Sequence, residues 1–168
     1  MNGILQMVFI TYLAMGLSPA IEAGAVVQPC CPMFWTLRGN RCYRYIGKSM
    51  TWHDAQNHCN GLDHMANLVS LGTEGEAKFV HHFFNEKSGG SYPHYWIGLQ
   101  DVTKEGDYKW IGINRPMTYN NWYPNQPDNT GDSDCVEVTT KSGFWNDDRC
   151  QYQKQPFICE RPRPSRPK

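Results

Sequence analysis

The side chains best suited to chemistry gather in one stretch of the chain. Between Ile111 and Asp134 lie Asn114, Asn120, Asn121, Asn125, Gln126, Asp128, Asn129, Asp132 and Asp134, with Pro116, Pro124 and Pro127 restricting the backbone. This run of about two dozen residues has neither helical nor alternating periodicity, and connections that long in a compact domain are usually functional. Carboxylate and amide oxygens on a stiffened loop are the ligands a hard cation such as calcium takes. Asn146 and Asp147 add a further amide and carboxylate downstream, and Asp101 and Glu105 stand four apart upstream.

The same groups do not read as catalytic machinery. Asp132 with Asp134, and Asp147 with Asp148, could be mistaken for a glycosidase pair. Amide neighbours in place of apolar ones give no cause for the raised pKa a general acid needs. No serine or lysine nucleophile motif accompanies them, so the chain is not read as an enzyme. The six histidines also lack a pattern. His53 and His58 are five apart, off the i,i+4 spacing of paired ligands on a helix. His81 and His82 diverge on any helix, His64 and His94 fall in expected loops, and all six read as solvated.

The elements that must hold the loop are legible around it. Cys31 to Tyr45 reads as a hairpin turning at Arg38-Gly39-Asn40. Thr51 with Asp54 three residues on opens a helix that buries Trp52, Ala55 and Cys59. Thr73 with Glu76 opens a second, with Phe79, Val80, Phe83 and Phe84 at helical spacing. After Gly89-Gly90 come short strands at Tyr95–Leu99, Tyr108–Trp110, Cys135–Val138 and Pro156–Cys159. Two helices followed by short strands make an α+β domain. Trp96 and Trp110 are core candidates, and Trp122 and Trp145 are expected to brace the loop.

The 168 residues carry 16 lysines and arginines against 16 aspartates and glutamates, a balance that excludes a nucleic-acid binder relying on a basic field. With 40% hydrophobic residues and six tryptophans there is enough apolar material for one core. The mostly apolar Ile4–Leu17, followed by small residues, reads as a signal peptide over residues 1–25, cleaved after Ala23 or Ala25. Downstream of it no stretch is long and uncharged enough to span a bilayer. Secretion accounts for the seven cysteines, because thiols outside the cell oxidise and staple small domains. Six in bridges leave one over, and the adjacent Cys30–Cys31 pair is where it sits. A disulfide-linked homodimer through Cys30 is the expectation. The last residues, 161–168, read as an extended, cationic and disordered Arg/Pro tail.

Cys31-Pro32-x-x-Trp35…Cys42-Tyr43, Trp96-Ile97-Gly98-Leu99, Gln126-Pro127-Asp128, Trp145-Asn146-Asp147…Cys150 and Phe157-Ile158-Cys159 occur in that order. In this the chain resembles a secreted C-type lectin, with a carbohydrate-recognition domain over residues 30–160. The resemblance implies a double-loop α+β fold of two helices and short, mostly antiparallel strands. It also implies three disulfides, Cys31–Cys42, Cys59–Cys159 and Cys135–Cys150.

In such lectins a calcium ion in the long loop is the sugar-binding element, two vicinal hydroxyls completing its shell. By resemblance Gln126, Asp128, Asn146 and Asp147 hold both metal and sugar, with Pro127 cis. Gln-Pro-Asp goes with galactose or N-acetylgalactosamine, so glycans with terminal galactose-type sugars are the implied partners. Two departures stand out. Where the family places a glutamate two residues before the cysteine this chain has Ser133, and the loop from Gln126 to Cys135 is about one residue short. Asp132 is assigned the missing carboxylate, with Asp134 as the alternative. No aromatic follows Asp128 for the sugar to stack on, and Tyr123 and Phe144 are the candidates to replace it. The resemblance also implies an auxiliary calcium set of Asp101, Glu105, Asn129 and Asp134, the alternative being that Asp101 and Glu105 are ordinary turn carboxylates. The implied role is agglutination or glycan recognition in innate defence. The alternative is a structural or interaction protein on the same fold, of the mineral-matrix or venom type.

Overall fold

The computed structural model describes residues 30–112 and 115–165. The expected signal peptide, with Ala23 and Ala25, lies outside the described residues, as do Asn114 and the last three residues of the tail.

The hairpin forms as expected: strands β1 (Thr36–Arg38) and β2 (Arg41–Met50) turn at Gly39-Asn40, with Arg38 opposite Arg41. Gly39 has φ +59°, a conformation that costs glycine little. β2 runs on beyond Tyr45, because the last strand, β9 (Gln155–Pro162), pairs with it antiparallel from Arg41 opposite Pro162 to Met50 opposite Gln155. This joins the two ends of the domain.

Helix α1 (Trp52–Leu62) is capped by Thr51, whose hydroxyl accepts from the Asp54 N–H. Trp52, Ala55 and Cys59 face inward as their spacing requires, and the Trp52 indole N–H donates to the Ile97 carbonyl at 2.8 Å. Helix α2 (Glu74–Ser88) is capped by Thr73 and closes at Gly89 in the left-handed conformation. Glu76 reaches back to the Gly72 N–H at 2.9 Å, and Val80, Phe83 and Phe84 are buried.

Between and beyond the helices come β3 (Asn67–Leu68), β4 (His94–Gln100), β5 (Lys109–Trp110), β6 (Arg115–Pro116), β7 (Cys135–Thr139) and β8 (Trp145–Asp148). Among the described residues nine strands join in one sheet, ordered β1-β2-β9-β4-β5-β6, with β3 on β9, β7 on β4 and β8 on β7. All pairings are antiparallel except β4 with β9, where Trp96 meets Phe157.

Tyr43, Phe84, Tyr95, Ile97, Trp110, Trp145 and Ile158 form one part of the core; Trp52, Leu68, Trp96 and Phe157 form the other. The three disulfides are those implied by the resemblance: Cys31–Cys42, Cys59–Cys159 and Cys135–Cys150. Closing the 100-residue span between Cys59 and Cys159 removes the most chain entropy from the unfolded state.

Two expectations are corrected. The chain does not turn into a disordered tail at Arg161: β9 continues through Pro162, and Arg161 is buried with its guanidinium on Asp63. A buried cation requires a paired anion, and Asp63 at the end of α1 supplies it. Nor are all the histidines solvated. His94 lies on β4, not in a loop, and its ring meets Glu137 at 2.7 Å. His58 packs edge-on against Phe157, and His81 hydrogen-bonds Asn85.

Candidate sugar and metal site

β8 is the strand that the sequence reading took only as a motif. Its burial alternates: Trp145 and Asp147 point inward, Asn146 and Asp148 lie half-buried. Trp145 is fully buried, with the rings of Trp110, Tyr119 and Trp122 set edge-on around it. The long loop docks on this tryptophan through backbone bonds. Trp145 N–H donates to Asn121 O and Tyr123 N–H to Trp145 O, both at 2.9 Å. Trp122 and Trp145 therefore brace the loop as expected.

That docking carries the following turn onto Asp147. Gln126 N–H donates to Tyr123 O, and the Gln126–Pro127 peptide is cis, as the resemblance implied. The buried Asp147 carboxylate accepts from the Asp128 N–H at 3.2 Å and the Asn129 N–H at 2.7 Å. The Asp147 N–H donates to Gln126 Oε1 at 3.4 Å, and Gln126 Nε2 donates to Asp128 Oδ2 at 3.0 Å. Thr130 bonds the exposed Asp128 carboxylate, side chain and backbone both, and holds its pKa below the usual value. Gln126, Asp128 and Asp147 thus come together as one hydrogen-bonded cluster. Asn146 adjoins it on β8, opposite Glu137 on β7.

Of the auxiliary residues, Asp101 and Asp134 form a second group through their backbones, with the Glu105 charge felt at Asp101. Asp101 is 1% exposed. Its N–H donates to Asp134 O, and its Oδ2 accepts from the Gly106 N–H at 2.8 Å. Its Oδ1 is buried without a hydrogen-bond partner, as is the Tyr108 hydroxyl. Burial, then Glu105 and Asp134, push the Asp101 pKa up to about 6. Burial and the charges of Asp101, Asp147, Glu105 and Asp134 raise that of Tyr108. Asn129 links the two groups: its N–H is on Asp147, and its Oδ1 accepts from the Ser133 N–H at 2.9 Å.

Asp132 sits elsewhere. It takes φ +65° and lines a cavity of about 430 Å3 together with Asp134, His53 and Arg149. Ser133, at the position of the absent glutamate, is 3% exposed and donates its hydroxyl to Thr130 O, holding the loop together. Sequence reasoning missed Tyr108, whose spacing marked it as a strand residue. It also missed Arg149, whose guanidinium fills the space where any Cβ on Gly131 would stand. The candidate aromatics are brought side by side: Tyr123 and Phe144 are both exposed, their ring centres 5.8 Å apart and nearly perpendicular.

Among the described residues no three His, Cys, Asp or Glu side chains converge as ligands around an ion would. The donor chemistry nevertheless suits a hard cation. Every candidate offers oxygen, and Asp101 Oδ1 and the Tyr108 hydroxyl are buried oxygens lacking a partner that a cation would satisfy.

The sequence profile of the lectin C-type domain matches residues 48–161. Echinoidin of Heliocidaris crassispina is 33% identical over 144 residues, covering 79% of this chain and 97% of echinoidin. Among solved structures, the C-type lectin CEL-I of Cucumaria echinata superposes with a TM-score of 0.74 at 26% identity, over 80% of this chain and 99% of that one. A calcium-independent type II antifreeze protein superposes with a TM-score of 0.68 at 25% identity, over 79% and 95%. Other relatives are much longer: this chain spans 43% of rat asialoglycoprotein receptor 2, at 36% identity over 80% of its own length.

Proposed function

This chain belongs to the C-type lectin domain family, a class of non-enzymatic carbohydrate-binding proteins whose domain generally binds calcium, and from that premise we propose that it binds galactose-type sugars in a calcium-dependent way. The observation that carries the reading is the Asp147 carboxylate gathering the Asp128 and Asn129 backbone, beside Asn146 and next to the cis Gln126–Pro127 peptide.

Gln126, Asp128, Asn146 and Asp147 would hold the ion, with Asp132 swung in from the neighbouring turn as the further carboxylate. Calcium, when bound, supplies coordination positions for two vicinal hydroxyls. The chain's own groups do the discriminating. Amide N–H groups of Gln126 and Asn146 donate to hydroxyl oxygens, while the Asp128 and Asp147 carboxylates accept from hydroxyl protons. The order Gln then Asp across Pro127 fixes which hydroxyl meets a donor and which an acceptor. Asp101, Glu105, Asn129 and Asp134 would hold a second ion bracing the loop.

The chain is proposed to be secreted after loss of residues 1–25, a reading supported by its three disulfides. Among the described residues no helix is long and apolar enough to cross a membrane. A single lectin site binds weakly, so agglutination or microbial recognition in innate defence needs linked copies. Cys30, exposed and outside the three intramolecular bridges, is the proposed position of that link.

Retention on galactose and mannose resins, with calcium and then with EDTA, tests the function. Galactose retention released by EDTA supports it; indifference to both sugars overturns it. The buried Ser133, in place of an acidic ligand, favours a second reading, a structural protein on the same fold without a sugar site. The similarity to a calcium-independent antifreeze protein agrees with that reading. Failure on both resins would select it.

A further inference from the structure

A groove of about 240 Å3 runs between α2 and the β7–β8 turn, and nothing in the proposed site makes use of it. Lys78 and Glu74 of α2 form one wall, Tyr119 of the long loop another, and Ser142 and Phe144 of the turn the third. The His81 ring lies under the turn, where a Cβ on Gly143 would stand 3.5 Å from its Nδ1. The turn is fixed in place by Asn121, whose amide donates to Gly143 O at 2.8 Å.

The groove adjoins the proposed sugar site. Phe144 precedes β8 by one residue, and the strand alternates, so Phe144 and Asn146 share the outward side while Trp145 and Asp147 point inward. Their Cα atoms are then about 6.6 Å apart at the usual rise per residue. Phe144 is thus common to both places: it lines the groove and packs nearly perpendicular to Tyr123.

Its lining has the chemistry of a sugar ring's two aspects. The Tyr119 and Phe144 rings offer faces for apolar C–H groups. The Ser142 hydroxyl and the Lys78–Glu74 pair, 2.6 Å apart and mostly exposed, offer donor and acceptor for hydroxyls. The volume is below the roughly 300–1,000 Å3 of pockets that enclose drug-sized ligands, which suits one ring and not an extended chain.

We propose that this groove is a subsite for the second sugar of an oligosaccharide whose terminal galactose-type residue occupies the Gln126–Asp128–Asn146 site. The proposal rests on the lectin reading above. It makes the ligand a disaccharide end, not a lone monosaccharide.

Calorimetric titration of the calcium-loaded, full secreted chain with galactose, with lactose and with the β1,3-linked counterpart of lactose tests it. At least one disaccharide is expected to bind about fivefold or more tighter than galactose. Lys78→Ala, at an exposed helix position, and Tyr119→Leu should each bring that ratio toward one. Disaccharides no tighter than galactose, or a preference that both substitutions leave intact, overturn the subsite and leave the galactose site standing. Binding of none of the three sugars overturns both.

Discussion

Asp147 and Asn129 lie eighteen residues apart and meet at 2.7 Å, the Asn129 N–H donating to the Asp147 carboxylate. Through this contact a strand at the end of the β4–β7–β8 branch of the sheet holds a loop that has no regular structure of its own. The Asn129 side chain in turn accepts from Ser133, so the hold extends to the residues before Cys135.

Asp147→Asn should therefore weaken both stability and sugar retention. An amide keeps one acceptor oxygen where the carboxylate offers two, and it loses the charge. Leaving a part-buried N–H without its charged acceptor costs roughly 1 kcal/mol, readable in urea unfolding. Unchanged unfolding would show that the two backbone bonds contribute nothing.

Calcium should raise the melting temperature, and more so at pH 7.5 than at pH 5. The Asp101 carboxyl is pushed up to about 6, so protons compete with the ion just below neutrality. A ligand at a hundred times its Kd stabilises by about 2.7 kcal/mol. Asp101→Asn is expected to remove most of the increment that depends on pH. A calcium shift equal at both pH values would argue against a role for Asp101.

The His94–Glu137 pair predicts a separate pH dependence. Its hydrogen bond to buried Glu137, with Gln155 on the other carboxylate oxygen, raises the His94 pKa above its usual value. The folded state then holds the proton more tightly than the unfolded chain. This contribution is fully present below about pH 6.5 and is lost as pH rises through the folded pKa. His94→Gln should flatten the stability curve in that window by about 1 kcal/mol. Identical curves for the two proteins would rule the pair out as a stabilising element.

The Cys135–Cys150 bridge closes a span of fifteen residues that contains β7, its turn and β8. Removing it in a Cys135→Ser, Cys150→Ser variant should cost roughly 3 kcal/mol. Sugar retention is expected to fall by more than global stability does, because the bridge secures the strand that bears Asn146 and Asp147. Retention that tracks stability alone would count against that link.

Much of this was legible in the chain because it depends on near neighbours. Thr51 and Thr73 cap their helices with bonds to residues three along, and Gly39 turns a hairpin whose strands adjoin it. Apolar spacing alone set the inward faces of α1 and α2. The cysteines, Trp145 and Gln126-Pro127-Asp128 carried the family resemblance, and it was the resemblance that implied the bridges and the cis peptide.

What the tertiary structure decided are the pairings between distant residues. β8 was hidden because Asn146, Asp147 and Asp148 have no strand propensity, and only β7 alongside makes them one. Arg161 looked like the start of a solvated tail because nothing near it in sequence is acidic beyond Glu160; Asp63, 98 residues away, draws it in. Asp132 reads in the sequence as a ligand beside Gln126 and Asp128, yet the positive φ at Asp132 and the fold of the loop set it, with Asp134, along the cavity shared with His53 and Arg149. Residue types and short spacings determine caps, turns and burial periodicity, because those interactions close within a few residues. Where a carboxylate ends up, and beside which partner, follows from the summed packing of the sheet, and no local pattern contains it.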